Sequence, residues 1–423
     1  MRRKIAHISP VMPASGGNGL AMRTSIFSHA AEQTADVLII VVEPDGGAMA
    51  ENPLFRPDTS VVRIYEGFDT RLSLIERAVP EDSRPGLLVE YGKPLASAAL
   101  SAATISRIVE RLVAFEPDAI VLSRAHMLPI VDAFVGALAQ VPLLVDLDDD
   151  DGWLCRSLAA HEREHGHDNE AVWLEAQADV CDAVISRHAG RVGQFTAASE
   201  TVSGAIRKRL GISNISCVAN GIAPVARTPI GTEDVHGHTT PGTHLRQSLI
   251  FVGNLSYQPN RDGLLWFLGE VWPSLREVVP GVIFMVAGSN PDQQLRRLCQ
   301  QDGVELIVNP QDLAPLYRLA DAAIVPLRFG SGSRIKILEA GAHGVPVVST
   351  FAGAEGLNLQ PDTHAFVSDE TADGFVNSCL ECLRNRDEAH RRSALLHGFI
   401  EEHHDRQKIV NRLHQTLSTF VAG

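Results

Sequence analysis

Short apolar runs alternate with amphipathic segments along most of this 423-residue chain. Such runs are typical of strands buried on both faces, and the segments between them are typical of helices that cover a sheet. In the first half the runs lie at Lys4–Ser9, Val37–Val42, Ala119–Leu122, Leu143–Asp146, Ala183–Ile185, Phe195–Ala198 and Ile215–Val218. In the second half they lie at Leu249–Gly253, Val282–Gly288, Val304–Val308 and Ala322–Pro326. The alternation predicts an α/β fold with two doubly wound parallel sheets.

A change in composition separates the two halves. Residues 223–247 are rich in proline, threonine and histidine, which is typical of a linker. We therefore predict one Rossmann-like domain at 1–222 and a second at 248–395. The remaining residues, 396–423, are predicted to form a C-terminal helix that is able to cross back to the first domain.

The stretch from Phe329 to Thr350, FGSGSRIKILEAGAHGVPVVST, predicts a glycine-rich turn, a helix and a strand. Such a turn lies at the carboxyl end of a parallel strand, where open α/β sheets bind ligands. Its N–H groups and the helix start attract anions, and Arg334 and Lys336 add full positive charges. Glu339 shares a helix face with Lys336, so a carboxylate and a cation can reach one ligand, such as a phosphate joined to a polyhydroxyl group. The alternative is a glycine-rich connection with a Lys336–Glu339 surface pair.

A second glycine-rich turn follows the first strand, where Gly16–Gly19 reads GGNG. It lacks the GxGxxG spacing of a dinucleotide site. Its backbone could bind a phosphate or a sugar hydroxyl; alternatively it is a tight turn in which Asn18 caps the following helix. His126 lies just past the predicted strand at Ala119–Leu122, where it either lines a cleft or serves as a capping or loop residue.

Two motifs resemble metal sites without meeting their requirements. Asp146–Asp151 reads DLDDDD, but the glycine and the final ligand of a calcium loop are misplaced or missing. We expect one aspartate to meet a ligand, and the others to be solvated or to cap the next helix. His161–His165 reads HEREH, but its polar interior and flank predict an exposed helix end instead of a buried zinc site. No bound metal is therefore predicted.

Composition narrows the classes of protein. A net charge of −14 argues against general binding of nucleic acid or of anionic membranes. No apolar run approaches the ~20 residues of a membrane span, and no signal peptide is recognisable. The six cysteines are scattered, with one CxxC at Cys379–Cys382, which is typical of reduced thiols. We expect a cytoplasmic protein that reaches a membrane only through a partner or a substrate.

Four stretches carry a family resemblance: FVGNLSYQPNRDGLLWF (251–267), VPLRFGSGSRIKILEAGAHGVPVVST (325–350), AGAEGL (352–357) and CVANGI (217–222). Two facing Rossmann-like domains resemble the GT-B glycosyltransferases, and the second half is similar to family 4, the retaining group 1 type. The resemblance implies that the first domain binds an acceptor and the second a nucleotide sugar. The implied reaction moves a sugar to a hydroxyl acceptor (a glycan, a lipid-linked saccharide or a small molecule), with no metal or cofactor.

The resemblance also implies roles for individual residues. Glu339 looks like the glutamate that accepts hydrogen bonds from the nucleotide ribose. Arg261, Lys336 and Arg334 are candidates to neutralise the departing diphosphate. His126 resembles the histidine that lies against the donor sugar. The remaining implied ligand-binding positions are Gly17, Asn18, Gly19, Gly253, Asn254, Gly330, Ser331, Gly332 and Ser333.

The chain departs from the family pattern at two positions. Many members carry a glutamate eight residues before the one matched by Glu339, but this chain has Ser331 there. The motif is thus similar to a GxGxRxKxxE variant, in which serine or backbone must contact the donor sugar. Asn254 likewise stands where many members carry arginine. These departures leave two alternatives: a GT-B-type sugar-nucleotide epimerase, and a GT-B domain that binds sugar nucleotides without catalysis.

Overall fold

The structure, a computed structural model, describes residues 2–16, 19–43, 55–56, 58–65, 100–225, 247–330 and 334–422. The described residues divide into two compact units. The first unit contains those of 1–221 together with 406–422, and the second contains those of 222–330 and 334–405.

Each unit is built on a parallel sheet. The first sheet has the strands β1 (Arg3–Ser9), β2 (Ala35–Glu43), β3 (Ser60–Tyr65), β4 (Ala119–Ser123), β5 (Leu143–Asp148), β6 (Gln194–Ala197) and β7 (Ile215–Cys217). Their order is β3-β2-β1-β4-β5-β6-β7. The second sheet has the strands β8 (Ser248–Asn254), β9 (Ile283–Ser289), β10 (Val304–Val308), β11 (Ala322–Val325), β12 (Val347–Thr350) and β13 (Phe366–Ser368). Their order is β10-β9-β8-β11-β12-β13.

Helices follow most of the strands. Those of the first unit are α1 (Gly19–Thr34), α2 (Ala102–Phe115), α3 (Asp151–Glu164), α4 (Asp168–His188) and α5 (Glu200–Leu210). Those of the second unit are α6 (Gln258–Trp266), α7 (Trp272–Val278), α8 (Gln293–Leu298), α9 (Ala314–Leu319), α10 (Ile335–Ala342), α11 (Phe351–Ala354), α12 (Ala372–Arg384) and α13 (Arg386–His403). The helix α14 (Arg406–Ala422) belongs to the first unit. Among the described helices, none is long and apolar enough to cross a membrane.

The strand order fixes where a ligand can bind in each unit. All recorded pairings are parallel, and the central strands, such as β4, β8 and β11, are buried as their continuous apolar runs predict, whereas the edge strand β10 is partly exposed. The order reverses between β1 and β4 in the first sheet and between β8 and β11 in the second. At such a reversal the connections leave toward opposite faces and open a crevice at the carboxyl ends of the strands. The predicted fold class, two doubly wound parallel sheets, is confirmed.

Two local predictions are wrong. Residues Ala183–Ile185, predicted as a strand, lie inside α4, where Ile185 is buried and Ala183 is exposed. Three apolar residues are too few to distinguish a strand from the buried face of a long helix. The pattern between the runs Ala119–Leu122 and Leu143–Asp146 predicts a helix that begins near Pro129, but the structure has a 3₁₀ segment over Ala125–Ala133. Proline has no N–H for an α-helical bond, so a short 3₁₀ segment tolerates it better.

In the described part of the chain, the passage from the first unit to the second at Gly221–Ile222 lies next to the return at residues 405–406. Gly221 lies so close to Arg406 that a Cβ on Gly221 would be 2.8 Å from its Cα. The next residue, Ile222, donates its N–H to the carbonyl oxygen of His404 at 2.9 Å. After this point α14 packs against α1 in the core of the first unit.

Helix α6 approaches the backbone that follows β11 through a glycine. A Cβ at Gly263 would lie 2.3 Å from the carbonyl oxygen of Pro326. We expect Gly263→Ala to displace α6 and to lower the free energy of unfolding by about 1–3 kcal/mol. Gly269, further along the same helical segment, has open space around it. Gly269→Ala is therefore the control and is expected to be neutral or slightly stabilising in urea denaturation; equal losses in both variants would contradict the close approach.

Candidate functional site

Arg334 fixes the end of the connection from β11 to α10. This residue has a left-handed backbone, with φ 52°, immediately before α10. Its Nη2 donates to the carbonyl oxygens of Gly330 and Ala352, both at 2.6 Å. Gly330 itself has φ 122°, a conformation that favours glycine. Ser331, Gly332 and Ser333, predicted to bind the diphosphate, lie outside the described residues.

The amine of Lys336 belongs to a chain of hydrogen bonds, here called the relay, at the crevice of the second unit. Nζ donates to Oδ1 of Asn260 at 2.9 Å, and Nδ2 of Asn260 donates to the carbonyl oxygen of Asn254 at 2.7 Å. The amine also lies 5.5 Å from the ring centroid of Phe251. Burial lowers the pKa of Lys336 to about 7, an effect that Arg334 strengthens. The relay joins the chain after β8 to the helix after β11.

Glu339 lies one helical turn further along α10. The hydroxyl of Tyr317, on α9, donates to its Oε2 at 3.4 Å. Burial raises the pKa of Glu339 to about 7, although Lys336 and the Tyr317 bond both act in the opposite direction. Lys336 and Glu339 are partly buried and bond to different neighbours. They are therefore not the surface pair considered as the alternative.

Gly253 and Asn254 shape the loop between β8 and α6. A Cβ on Gly253 would lie 2.8 Å from Nδ2 of Asn260, so glycine lets that amide reach the loop. The side-chain oxygen of Asn254 accepts bonds from the N–H of Ser256 at 3.2 Å and from its hydroxyl at 3.0 Å. These contacts pin the loop that supports the amide partner of Lys336.

Arg261 follows Asn260 on α6, but it faces another helix. Its Nε donates to the carboxylate of Asp292, and its Nη2 donates to Oε1 of Gln294 at 2.7 Å. Asp292 caps α8 through the N–H of Leu295. Among the described residues, no hydrogen bond or ion pair joins Arg261 to Lys336 or Glu339. Arg261 thus connects α6 to α8 in this structure.

The predicted positions of the first unit are only partly described. Gly19 begins α1, whereas Gly17 and Asn18 lie outside the described residues. His126 is half-buried in the 3₁₀ segment after β4, at the carboxyl edge of the first sheet. It comes two residues after Arg124, which has φ 78°, in the positive range that is costly for a residue other than glycine.

Arginines bind the aspartates at the end of β5 and just after it. Arg23 donates to both oxygens of Asp146, from Nε at 2.7 Å and from Nη2 at 2.6 Å, and both side chains are fully buried. Arg124 pairs with Asp148 at 3.1 Å and with Asp151 at 2.5 Å. The expectation that the aspartates which do not cap the next helix or meet a ligand are solvated is therefore wrong for these ion-paired residues.

One aspartate of the same run caps a helix, as expected. Oδ1 of Asp150 accepts the N–H of Trp153 at the start of α3, and both of its oxygens also pair with Arg209. The sequence offers a signal only for the cap, an aspartate three residues before the accepted N–H. The arginine partners come from distant helices, which local spacing does not reveal.

Two other motifs lie away from these residues. His161 and His165 are at the end of α3, where their rings are 4.3 Å apart and His165 is exposed. Cys379 and Cys382 lie on the buried face of α12, and burial raises the pKa of each thiol. The two thiols are therefore packing residues.

The fold is shared with solved structures. The two parallel sheets match the GT-B fold. Sucrose-phosphate synthase from Thermosynechococcus elongatus has a TM-score of 0.68 at 14% identity, covering 100% of both chains. Anabaena Alr3699/HepE in complex with UDP and glucose has a TM-score of 0.62 at 17% identity, covering 98% of this chain and 99% of its own. The predicted GT-B fold is confirmed.

A family model matches the second unit. Residues 246–385 match the family described as "Glycosyl transferases group 1". A curated relative, the "Uncharacterized 44.6 kDa protein in cps region" of Klebsiella pneumoniae, is 25% identical over 174 residues. That match covers 39% of this chain and 45% of the relative.

Proposed function

We propose that the protein is a retaining glycosyltransferase that moves a sugar from a nucleotide-diphosphate donor to a hydroxyl acceptor. The observation that carries this proposal is the pair Lys336 and Glu339, a cation and a carboxylate one turn apart at the strand-order reversal of the second sheet. Each side chain bonds to its own partner, Asn260 or Tyr317, and among the described residues no ion pair joins the two. Such a pair suits a ligand with a phosphate at one end and hydroxyls at the other.

Each residue then has a proposed task. Sugar transfer leaves negative charge on the departing diphosphate, and fixed cations that meet this charge lower the barrier. Lys336 and the N–H groups of Gly330–Ser333 serve this purpose, while Glu339 accepts the ribose hydroxyls. Arg261 contributes only when its guanidinium releases the carboxylate of Asp292 and binds phosphate instead. His126 and the turn Gly17–Asn18–Gly19 are proposed to lie against the donor sugar and its phosphate.

Retention fits the residues of the site. In same-face attack a leaving phosphate oxygen takes the proton of the acceptor, so the protein needs no nucleophile of its own. Its contributions are positioning and charge stabilisation, which require neither a metal nor a cofactor. We therefore expect turnover to persist in a chelator.

A uridine diphosphate sugar is the first donor to test. The solved relatives include a structure with UDP-glucose and a UDP-forming α,α-trehalose-phosphate synthase from Burkholderia xenovorans. We expect one of the UDP-, GDP-, ADP- or TDP-sugars to raise the melting temperature. A donor at 100 times its Kd stabilises the folded state by about 2.7 kcal/mol.

Product analysis separates the alternatives. With glycan, lipid-linked and small-molecule acceptors, the proposal predicts release of the nucleoside diphosphate and a new bond of unchanged anomeric configuration. A changed sugar nucleotide without an acceptor would instead indicate an epimerase. Binding without release would indicate a non-catalytic domain, and no binding of any donor would refute the proposal.

A further inference from the structure

A stacked pair of rings supports Glu339 from the side. Tyr317 on α9 is only 2% exposed, and its ring is stacked on the imidazole of His343, with centroids 4.7 Å apart and planes inclined by 16°. His343 follows the last residue of α10, and its N–H donates to the carbonyl oxygen of Glu339 at 3.0 Å. The stack therefore joins α9 to the helix turn that carries the carboxylate.

The hydroxyl of Tyr317 acts on one oxygen of that carboxylate. It donates to Oε2, and in the part of the chain that the structure describes it is the only hydrogen-bond partner of the Glu339 side chain. A buried tyrosine hydroxyl needs a partner, and a carboxylate with one oxygen held loses rotational freedom. Oε1 is then available to accept hydroxyls of a ligand.

We infer that Tyr317 is a positioning residue that aims the carboxylate of Glu339 at the donor, with His343 supporting its ring. The inference rests on the proposed function, because it concerns how the donor is recognised. Tyr317 touches no reacting atom in this scheme and acts only through Glu339.

The hydrogen bond from Tyr317 to Glu339 also affects how donor affinity depends on pH. Glu339 accepts a hydroxyl hydrogen bond more strongly when it is ionised, and burial raises its pKa to about 7. Two neighbours act in the opposite direction: Lys336 on the same helix and Tyr317 on α9. Removing the Tyr317 hydroxyl removes one of these, so the pKa of Glu339 rises. As the solution is acidified, the protein without the Tyr317 hydroxyl should therefore lose donor affinity at a higher pH than the wild type does.

The test is the pH profile of the donor KM in Tyr317→Phe, measured on both sides of neutrality with the full-length chain and the best nucleotide sugar. We expect KM at neutral pH to rise about tenfold, because a hydrogen bond to a charged group is lost. We also expect the acid limb to move to higher pH, while kcat at saturating donor changes little. The basic limb reports Lys336, whose hydrogen bond to Asn260 this substitution does not touch.

His343→Phe is the matched variant. It keeps an aromatic ring against Tyr317 and leaves the hydroxyl in place, so its acid limb should coincide with that of the wild type. A shift in His343→Phe without one in Tyr317→Phe would assign the effect to the imidazole and overturn the inference.

A double-mutant cycle covers the case in which Tyr317→Phe weakens the fold. In a Glu339→Gln background, Tyr317→Phe should not reduce donor binding further. An equal loss in both backgrounds would mean that Tyr317 has a structural role only. If the wild type binds the donor normally and Tyr317→Phe has an unshifted acid limb, this inference alone is refuted. If the wild type binds no nucleotide sugar, the proposed function is refuted as well.

Discussion

Replacing Lys336 with Met is expected to lower sugar transfer by about 10²–10³-fold, the usual cost of removing one fixed group that stabilises developing charge. In the proposed mechanism Lys336→Met removes the cation that meets the departing diphosphate. Glu339→Gln removes the charge proposed to hold the ribose, so its loss should appear mainly in KM. Both are measured as kcat/KM with the best donor and acceptor.

The same two substitutions should stabilise the free protein near neutral pH. The pKa of Glu339 is raised to about 7 in the folded protein. This shift contributes its full stabilisation at low pH, where the carboxyl is neutral, and the contribution is lost as the pH rises to about 7. The folded pKa of Lys336 is lowered to about 7, so its contribution is full at high pH and is lost as the pH falls toward 7. Near pH 7 both groups therefore cost stability, and each substitution should recover an amount on the order of 1 kcal/mol.

Lys208→Met is the control for both measurements. Lys208 is exposed on α5, so its replacement should change neither transfer nor, by more than about 0.5 kcal/mol, the free energy of unfolding. Near-normal transfer by Lys336→Met and Glu339→Gln would remove these residues from the mechanism. Lower stability in both variants would contradict their burial as charged groups.

The second large effect is expected in the first unit, where Asp146→Asn should lower the free energy of unfolding by about 3–5 kcal/mol. The substitution leaves the fully buried guanidinium of Arg23 without its bidentate carboxylate. It also weakens the bond that Thr196 Oγ1 donates to Oδ1 at 2.8 Å. Urea denaturation followed by circular dichroism measures the change.

An exposed pair of similar geometry supplies the comparison. Arg163 donates to both oxygens of Glu175, at 2.6 and 2.7 Å, but the two side chains are 45% and 44% exposed. Because water screens and replaces such a pair, Glu175→Gln should cost less than about 1 kcal/mol. Equal losses for Asp146→Asn and Glu175→Gln would show that burial does not set the strength of the Arg23–Asp146 pair.

Residues with local signals were predictable from sequence. The placement of Lys336 and Glu339 one turn apart on a helix after a glycine-rich turn is predictable, because their spacing is visible in a few residues. The strands were found because parallel strands buried on both faces are continuous apolar runs. The strand predicted at Ala183–Ile185 failed for the same reason, since a short apolar run also fits a buried helix face.

The supporting residues were missed because they depend on tertiary contacts. Asn260 lies 76 residues before Lys336, and Tyr317 lies 22 residues before Glu339. Only the adjacency of β8 and β11 in the sheet brings Asn260 to the lysine. Arg23 and Asp146, 123 residues apart, meet for the same kind of reason. A run of aspartates therefore looks solvated until its partners are known.

Helix α14 has a consequence for the order in which the protein can mature on the ribosome. Its side chains Ile409, Val410, Leu413 and Leu417 are buried in the same cluster as Phe27 of α1. Translation delivers these residues only after the whole second unit has been made. During that interval the apolar residues of the first unit that pack against α14 lack this partner. The first unit is therefore synthesised first but completes its folding last.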